Sequence, residues 1–280
     1  MNWSGPQPEM FSAGESYDRF MGRWSRELAH RFVEFARIND GHTVLDAGSG
    51  TGALTEAVAA VAPSSAITGI DPAAAQIAYA QARHPGADLV RFEVGDAQQL
   101  RFRDGTFDRT LLLLALNFIP DPSKALAEMI RVTRPGGTVA AAVWDYGEGM
   151  EMLRAFWDEA SALSSAADAP DERHMPLCRR GELGTLWRNQ RLLDVSEEAL
   201  TIRTRFASFG DYWSPFLENQ GPAGAYVAGL GSNAREELSL RLRTRLLGSG
   251  PDRAIVLRAR AWAVRGIVRA SGSLHLPGDD

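Results

Sequence analysis

The feature that most limits the fold is the run Val44-Leu45-Asp46-Ala47-Gly48-Ser49-Gly50-Thr51-Gly52, where an apolar strand ends in an acid and breaks into alternating glycines. Glycines at such spacing let the backbone turn tightly and approach a ligand that a Cβ would repel. The acid at the strand end is placed to hold an ammonium group. A strand, a glycine turn and a following helix together form the opening unit of an open α/β sheet. Such sheets bind ligands outside the carboxyl ends of their strands.

The rest of the chain continues that rhythm. Strands are predicted at 43–46, 66–71, 90–95, 107–114 and 138–144, and helices at 53–61, 73–82 and 123–132. The strand around Leu111, Leu112 and Leu113 is a continuous apolar run, as expected for a central parallel strand covered on both faces. Repeated strand and helix units imply a doubly wound, mostly parallel sheet with right-handed crossovers. Ahead of it, Phe20, Trp24, Leu28, Phe32 and Phe35 recur at helical spacing and predict an amphipathic helix over 17–38, with a break near Gly22.

Beyond 146 the pattern changes. A helix is predicted at 150–164, a polar loop at 166–173, strands at 196–206 and 254–268, and a mostly helical stretch at 211–247 between those strands. The last two strands suit an antiparallel hairpin, which completes a seven-stranded sheet. The stretch between them is too long for a hairpin turn and carries Tyr212, Trp213 and Phe216. Those aromatics either face a substrate pocket as part of a cap or anchor the insert.

Two further acids follow the first. Asp71, before Pro72, ends the second strand, where nucleotide-binding α/β folds hold a ribose diol. Asp96, in Gly95-Asp96-Ala97, follows the third strand, where a carboxylate and a backbone amide can meet an adenine edge. All three signals fall at the carboxyl ends of neighbouring strands and line one crevice.

Composition narrows the partners. With 280 residues, 45% hydrophobic and 23% charged, the chain has the make-up of a globular protein with a sizeable core. A net charge of -5 argues against a polyanion such as DNA as the main partner. Cys178 is the single cysteine, which excludes an intrachain disulfide and fits a reducing, cytoplasmic location. Residues 1–15 show no signal peptide, and the apolar run 110–119 is too short to span a bilayer as a helix. No metal is expected, since His30, His42, His84 and His275 have no partner at ligand spacing.

The motifs Asp46 to Gly52, Asp71, Gly95-Asp96-Ala97, Phe107-Asp108 and Arg134-Pro135-Gly136-Gly137 resemble those of class I S-adenosylmethionine-dependent methyltransferases. The branch they are most similar to includes the ubiquinone and menaquinone biosynthesis C-methyltransferases. The resemblance covers 17–144, about half the chain. It implies a Rossmann-like methyltransferase fold and S-adenosylmethionine as cofactor. Gly48, Ser49, Gly50, Thr51 and Gly52 would approach its methionine part, with Asp46 near the amino group. Asp71 with Pro72 would meet the ribose, and Asp96 with Ala97 the adenine. Asn117 would face the methionine end or the substrate, and Tyr17, Arg23 and Trp24 lie on a helix that folds over the cofactor in this branch.

The domain plan is then a loose start at 1–16, a cofactor-binding half at 17–146, the remaining sheet at 147–270 with a cap at about 207–251, and a tail at 271–280. The methyl acceptor is read as an unidentified small molecule. No catalytic base is assigned. Asp145, Tyr146, His174 and Cys178 follow the fifth strand, on the substrate side, but each also has a purely structural explanation. Two other readings stay open. Gly48, Gly50 and Ala53 also fit a dinucleotide fingerprint, as in an NAD(P)-dependent oxidoreductase. A protein that binds S-adenosylmethionine without transferring its methyl group is the other.

Overall fold

The computed structural model describes residues 21–84, 88–163, 172–219 and 221–270. Tyr17, the expected loose ends at 1–16 and 271–280, and most of the expected loop at 166–173 lie outside the described residues.

Helix α1 (Arg23–Ala36) buries Trp24, Leu28, Phe32 and Phe35 of the stripe that the spacing predicts, while Phe20 lies outside the described residues. It stops at Arg37, whose left-handed backbone (φ 54°) turns its N–H back onto the Glu34 carbonyl. The alternating half follows as β1 (Thr43–Ala47), α2 (Ala53–Val61), β2 (Ala66–Asp71), α3 (Ala74–Arg83), β3 (Val90–Val94) and β4 (Phe107–Leu113). Then come α4 (Pro122–Val132) and β5 (Thr133–Trp144). Asp121 starts α4 by accepting the Lys124 N–H at 2.9 Å, with Pro122 in the first turn.

The second half contains α5 (Glu151–Leu163), α6 (Glu182–Asn189), β6 (Leu193–Phe206), α7 (Phe209–Trp213), α8 (Gly221–Gly229), α9 (Ser232–Leu247) and β7 (Ile255–Ile267). The described strands form one seven-stranded sheet in the order β3-β2-β1-β4-β5-β7-β6. Strands β1 to β5 pair in parallel, and β7 runs antiparallel to both β5 and β6. The sheet is therefore mixed, with a doubly wound parallel part and an antiparallel end.

The structure differs from the sequence reading at several points, and β6 begins at Leu193 rather than 196. Strand β5 starts at Thr133 rather than 138, and the residues expected as a turn, Arg134 to Gly137, bulge out between the β4-paired Thr133 and Thr138, with Gly136 at φ 77°. The cause is close approach: a Cβ on Gly137 would lie 2.8 Å from the Asp108 carbonyl oxygen, so β5 joins β4 from its start through a register shift. Helix α6 was not anticipated. Its Trp187 is fully buried and donates its indole N–H to the Val139 carbonyl at 3.0 Å.

The insert between β6 and β7 is helical, as expected, but its aromatics turn inward onto α5. Phe216 stacks on Phe156 with centroids 4.5 Å apart, and the Tyr212 hydroxyl donates to the Met152 carbonyl at 3.0 Å. Trp213 packs beside Phe216. Burying a ring of this size stabilises by about 1.5–3 kcal/mol, more than a pocket wall left open to water would return. These aromatics anchor the insert.

Candidate active site

A cavity of about 390 Å³ opens at the carboxyl ends of β1, β2 and β4. The loop after β1 forms its floor and is pinned to β2. The N–H groups of Gly48 and Ser49 both donate to the Ile70 carbonyl, at 2.7 and 2.8 Å, and the Gly50 N–H donates to Asp71 Oδ2 at 3.0 Å. Gly48 (φ 82°) and Gly50 (φ 51°) need the left-handed conformations that glycine adopts freely. A Cβ on Gly50 would also sit 2.8 Å from Gln76 Oε1.

Asp46, at the tip of β1, is fully buried. Its Oδ2 accepts the Thr55 hydroxyl at 2.7 Å, while Oδ1 is buried with no partner in the protein. Burial pushes this carboxyl up to about 7, against the hydrogen bonds from Thr55. The Ser49 hydroxyl is likewise buried and unpartnered. Asp71 uses both oxygens on backbone N–H groups, those of Gly50 and Ala73, and burial raises its carboxyl against these bonds. Asp96 is exposed at the rim, where Oδ1 accepts the Gln98 N–H at 2.8 Å.

The structure brings Asp46, Gly48, Ser49, Gly50, Thr51, Asp71, Pro72, Asp96 and Ala97 to this lining. Other candidates stand elsewhere. A Cβ on Gly52 (φ 92°) would point at the Phe92 ring, 3.2 Å away, so this glycine serves the packing of the loop on β3. Arg23 does not line the cavity: its guanidinium lies over the Trp24 and Phe206 rings, at 4.3 and 5.0 Å, and binds both oxygens of Asp211 at 3.1 Å. Those rings and that carboxylate draw it to the insert. Asn117 is buried beside the lining, donating to the Met175 sulfur at 3.4 Å with its carbonyl oxygen unpartnered.

Several lining residues carried no sequence signal. Ser25 of α1 and Gln76 of α3 read as ordinary helix residues, and Phe118 and Ile119 as loop. Leu114, with φ 62°, turns the chain after β4 so that Leu113, Ala115 and Phe118 form an apolar wall. The motif residues Asp108 and Arg134 pair at 2.6 Å, and Asp108 also accepts the Thr43 N–H at 2.7 Å. Thr43 begins β1, so this pair fastens the sheet at the end away from the cavity.

Among the described residues, the only ionisable side chains on the lining are the carboxyls of Asp46, Asp71 and Asp96. The candidate bases lie apart. Asp145 is tied to Arg260 at 2.8 Å and accepts the Glu148 N–H, and burial pushes the Cys178 thiol up, out of reach of ionisation near neutral pH. His174, at the end of a short turn, is exposed and also off the lining. No cluster of metal-ligating residues occurs among the described residues.

A mixed seven-stranded sheet in this order, a glycine loop pinned to β2 and a crevice lined by carboxylates define a Rossmann-like fold of the methyltransferase class. The comparisons agree: residues 45–141 match the family described as "Methyltransferase domain". Over that stretch the chain is similar to methyltransferase domains. It is 34% identical over 159 residues to the ubiquinone/menaquinone biosynthesis C-methyltransferase of Bdellovibrio bacteriovorus, covering 53% of this chain and 66% of that protein. The chain spans about half to two thirds of the length of the curated relatives it matches.

Among solved structures, YcgJ of Bacillus subtilis superposes with a TM-score of 0.57 at 17% identity, covering 88% of this chain and 99% of that one. Phosphoethanolamine N-methyltransferase 2 of Haemonchus contortus, solved with phosphomonomethylethanolamine and S-adenosylhomocysteine, gives 0.55 at 18%, covering 92% and 57%. At these identities the likeness is one of fold. Among the described residues no helix is long and apolar enough to cross a membrane.

Proposed function

We propose that the protein is an S-adenosylmethionine-dependent methyltransferase that acts on a small molecule. The observation that carries this reading is the charge of the crevice: three carboxylates, with no Lys or Arg on the described lining. A dinucleotide brings a diphosphate, which such a lining repels, whereas S-adenosylmethionine brings an ammonium and a sulfonium, which it attracts. The dinucleotide reading is weakened on the same ground.

The unpartnered Asp46 Oδ1 fits the ammonium of the methionine part, and Ser49 Oγ its carboxylate. The space at Gly50 leaves room for the cofactor chain, Asp71 faces the ribose hydroxyls, and Asp96 with Ala97 meets the adenine. When bound, the cofactor supplies a methyl group on a sulfonium leaving group. The chain's own residues then bind, orient and exclude water. Holding the acceptor in line with the methyl contributes on the order of 7–11 kcal/mol. The wall of Leu113, Ala115 and Phe118 suits an apolar acceptor and keeps that region dry. With Asp46, Asp71 and Asp96 all engaged by the cofactor, no further ionisable side chain on the described lining is left to act as a base, and the favoured acceptors are those that need little help to lose a proton. Cys178, a lone buried thiol, suits a cytoplasmic setting.

The insert supports this site indirectly. No described residue of 207–251 lines the cavity, but Asp211 holds Arg23 at the start of α1, and Ser25 of α1 is on the lining. The insert thus acts as a brace for α1 rather than as a direct wall.

Calorimetry with S-adenosylmethionine, S-adenosylhomocysteine and NAD tests the assignment, followed by turnover to S-adenosylhomocysteine over a panel of apolar acceptors. Binding of the two sulfur compounds and not of NAD is expected. Absent binding of either sulfur compound, or tighter binding of NAD, overturns it. Binding with no turnover on any acceptor favours the non-catalytic reading.

A further inference from the structure

A second cavity, of about 550 Å³, lies at the far end of the sheet and shares no lining residue with the first. It sits between α6 and the β6–β7 hairpin and is lined by Arg180, Gly181, Arg188, Glu197, Ala199 and Trp262. Trp262 points to the face of β7 that also carries Gly266, against which Trp187 of α6 packs, because side chains four residues apart on a strand share a face. The direct cross-strand partner of Trp262 on β6 is Ala199, whose methyl leaves the indole uncovered on that side.

The polar groups around that ring are arranged unequally. The Trp262 indole N–H is buried with no acceptor in the protein. The Arg260 guanidinium lies 5.1 Å from the ring centroid and is held by Asp145. Glu197, the one acid on the described lining, is taken up by the N–H groups of Gly181 and Gly184, at 2.5 and 2.6 Å. Arg188 makes one long hydrogen bond to Thr185, at 3.4 Å, and neither it nor Arg180 has an ion-pair partner among the described residues.

A half-buried indole beside two exposed guanidinium groups that have no ion-pair partner among the described residues forms a recognition surface for a flat anion. We propose that this cavity binds a small aromatic carboxylate, with its carboxylate on Arg180 and Arg188 and its ring against Trp262. Planar guanidinium forks match a carboxylate. The neighbouring Glu197 carboxylate disfavours a dianionic phosphate more than a monoanion. The volume is within the range of sites for small organic ligands, about 300–1,000 Å³.

The test is calorimetry of the full chain with 2-naphthoate as probe. Wild type is expected to bind it saturably at one site, and the Arg180→Ala/Arg188→Ala double variant roughly tenfold or more weakly. The neutral 2-naphthamide should be similarly weakened, and Trp262→Ala, which removes the ring against which the probe stacks, should bind less tightly than wild type. Gly50→Val, which fills the first cavity, should bind the probe as wild type does. The two arginines are exposed, so a thermal melt of the double variant should match wild type. The proposal is overturned by no saturable binding to wild type, by undiminished affinity in the double variant, or by loss of binding in Gly50→Val.

Discussion

Asp71 accepts the backbone N–H of Gly50 at 3.0 Å, so the acid that ends β2 also fixes the glycine loop that follows β1. One carboxylate thereby sets the width of the crevice and faces into it. Asp71→Ala removes a charged acceptor from two N–H groups as well as from a ribose. Hydrogen bonds to charged groups are worth about 1.5–3 kcal/mol, so S-adenosylhomocysteine binding should weaken by roughly ten- to a hundredfold. Calorimetry alongside circular dichroism checks this. Unchanged affinity in a folded variant would show that Asp71 only caps the turn.

Gly50→Val should abolish cofactor binding while the sheet stays folded. Its φ of 51° is costly for a β-branched residue, and the new side chain would meet Gln76. The loop is at the surface of the crevice rather than in the core, so only a modest fall in Tm is expected. A melt and a binding titration on the same sample separate lost binding from lost fold.

Asp46 makes binding depend on pH. Its carboxyl, raised to about 7 by burial, is largely protonated in the free protein at pH 6, whereas the unfolded chain ionises near 3.8. The folded state then holds the extra proton, so this group's contribution to stability falls as pH rises from about 4 to 7. A bound ammonium favours the ionised form. Cofactor binding at pH 6 should therefore release up to about one proton and strengthen as pH rises to about 7. Calorimetric enthalpies in buffers of different ionisation heat measure the release, and Asp46→Asn should remove it.

Phe216→Ala distinguishes an anchor from a pocket wall. Losing a fully buried ring stacked on Phe156 should cost about 3–5 kcal/mol and lower Tm clearly. Cofactor affinity below the new Tm should stay near that of wild type, because Phe216 is remote from the described lining. A variant of unaltered Tm that had lost turnover would return this ring to the substrate pocket.

Arg23→Ala and Asp211→Asn test the brace between α1 and the insert. The pair is about one-third exposed, and with the ring contacts its coupling in a double-mutant cycle should be about 0.5–1 kcal/mol. The acceptor KM should rise in both variants while cofactor affinity stays within about twofold. Equal losses for cofactor and acceptor would place Arg23 at the cofactor after all.

The strands, the main helices and the three acids at the strand tips were legible in the sequence because they are local. Period-two and period-3.6 patterns, and glycines with positive φ, follow from neighbouring residues alone. That is why Asp46, Gly50, Asp71 and Asp96 were found without the fold. The tertiary structure decided what depends on chain segments meeting from far apart. Arg23 looked like a cofactor residue until Asp211 and Phe206, almost two hundred residues on, drew it to the insert. Tyr212 and Phe216 suited a cap or an anchor equally until α5 supplied the surface that buries them. The Arg134 to Gly137 segment reads as a turn in isolation and is held within β5 as a bulge because Thr133 and Thr138 on either side of it pair with β4. Which buried atoms lack partners, such as Asp46 Oδ1 and the Trp262 N–H, also follows only from the packed whole, since hydrogen bonding at those atoms is set by distant neighbours and not by sequence spacing.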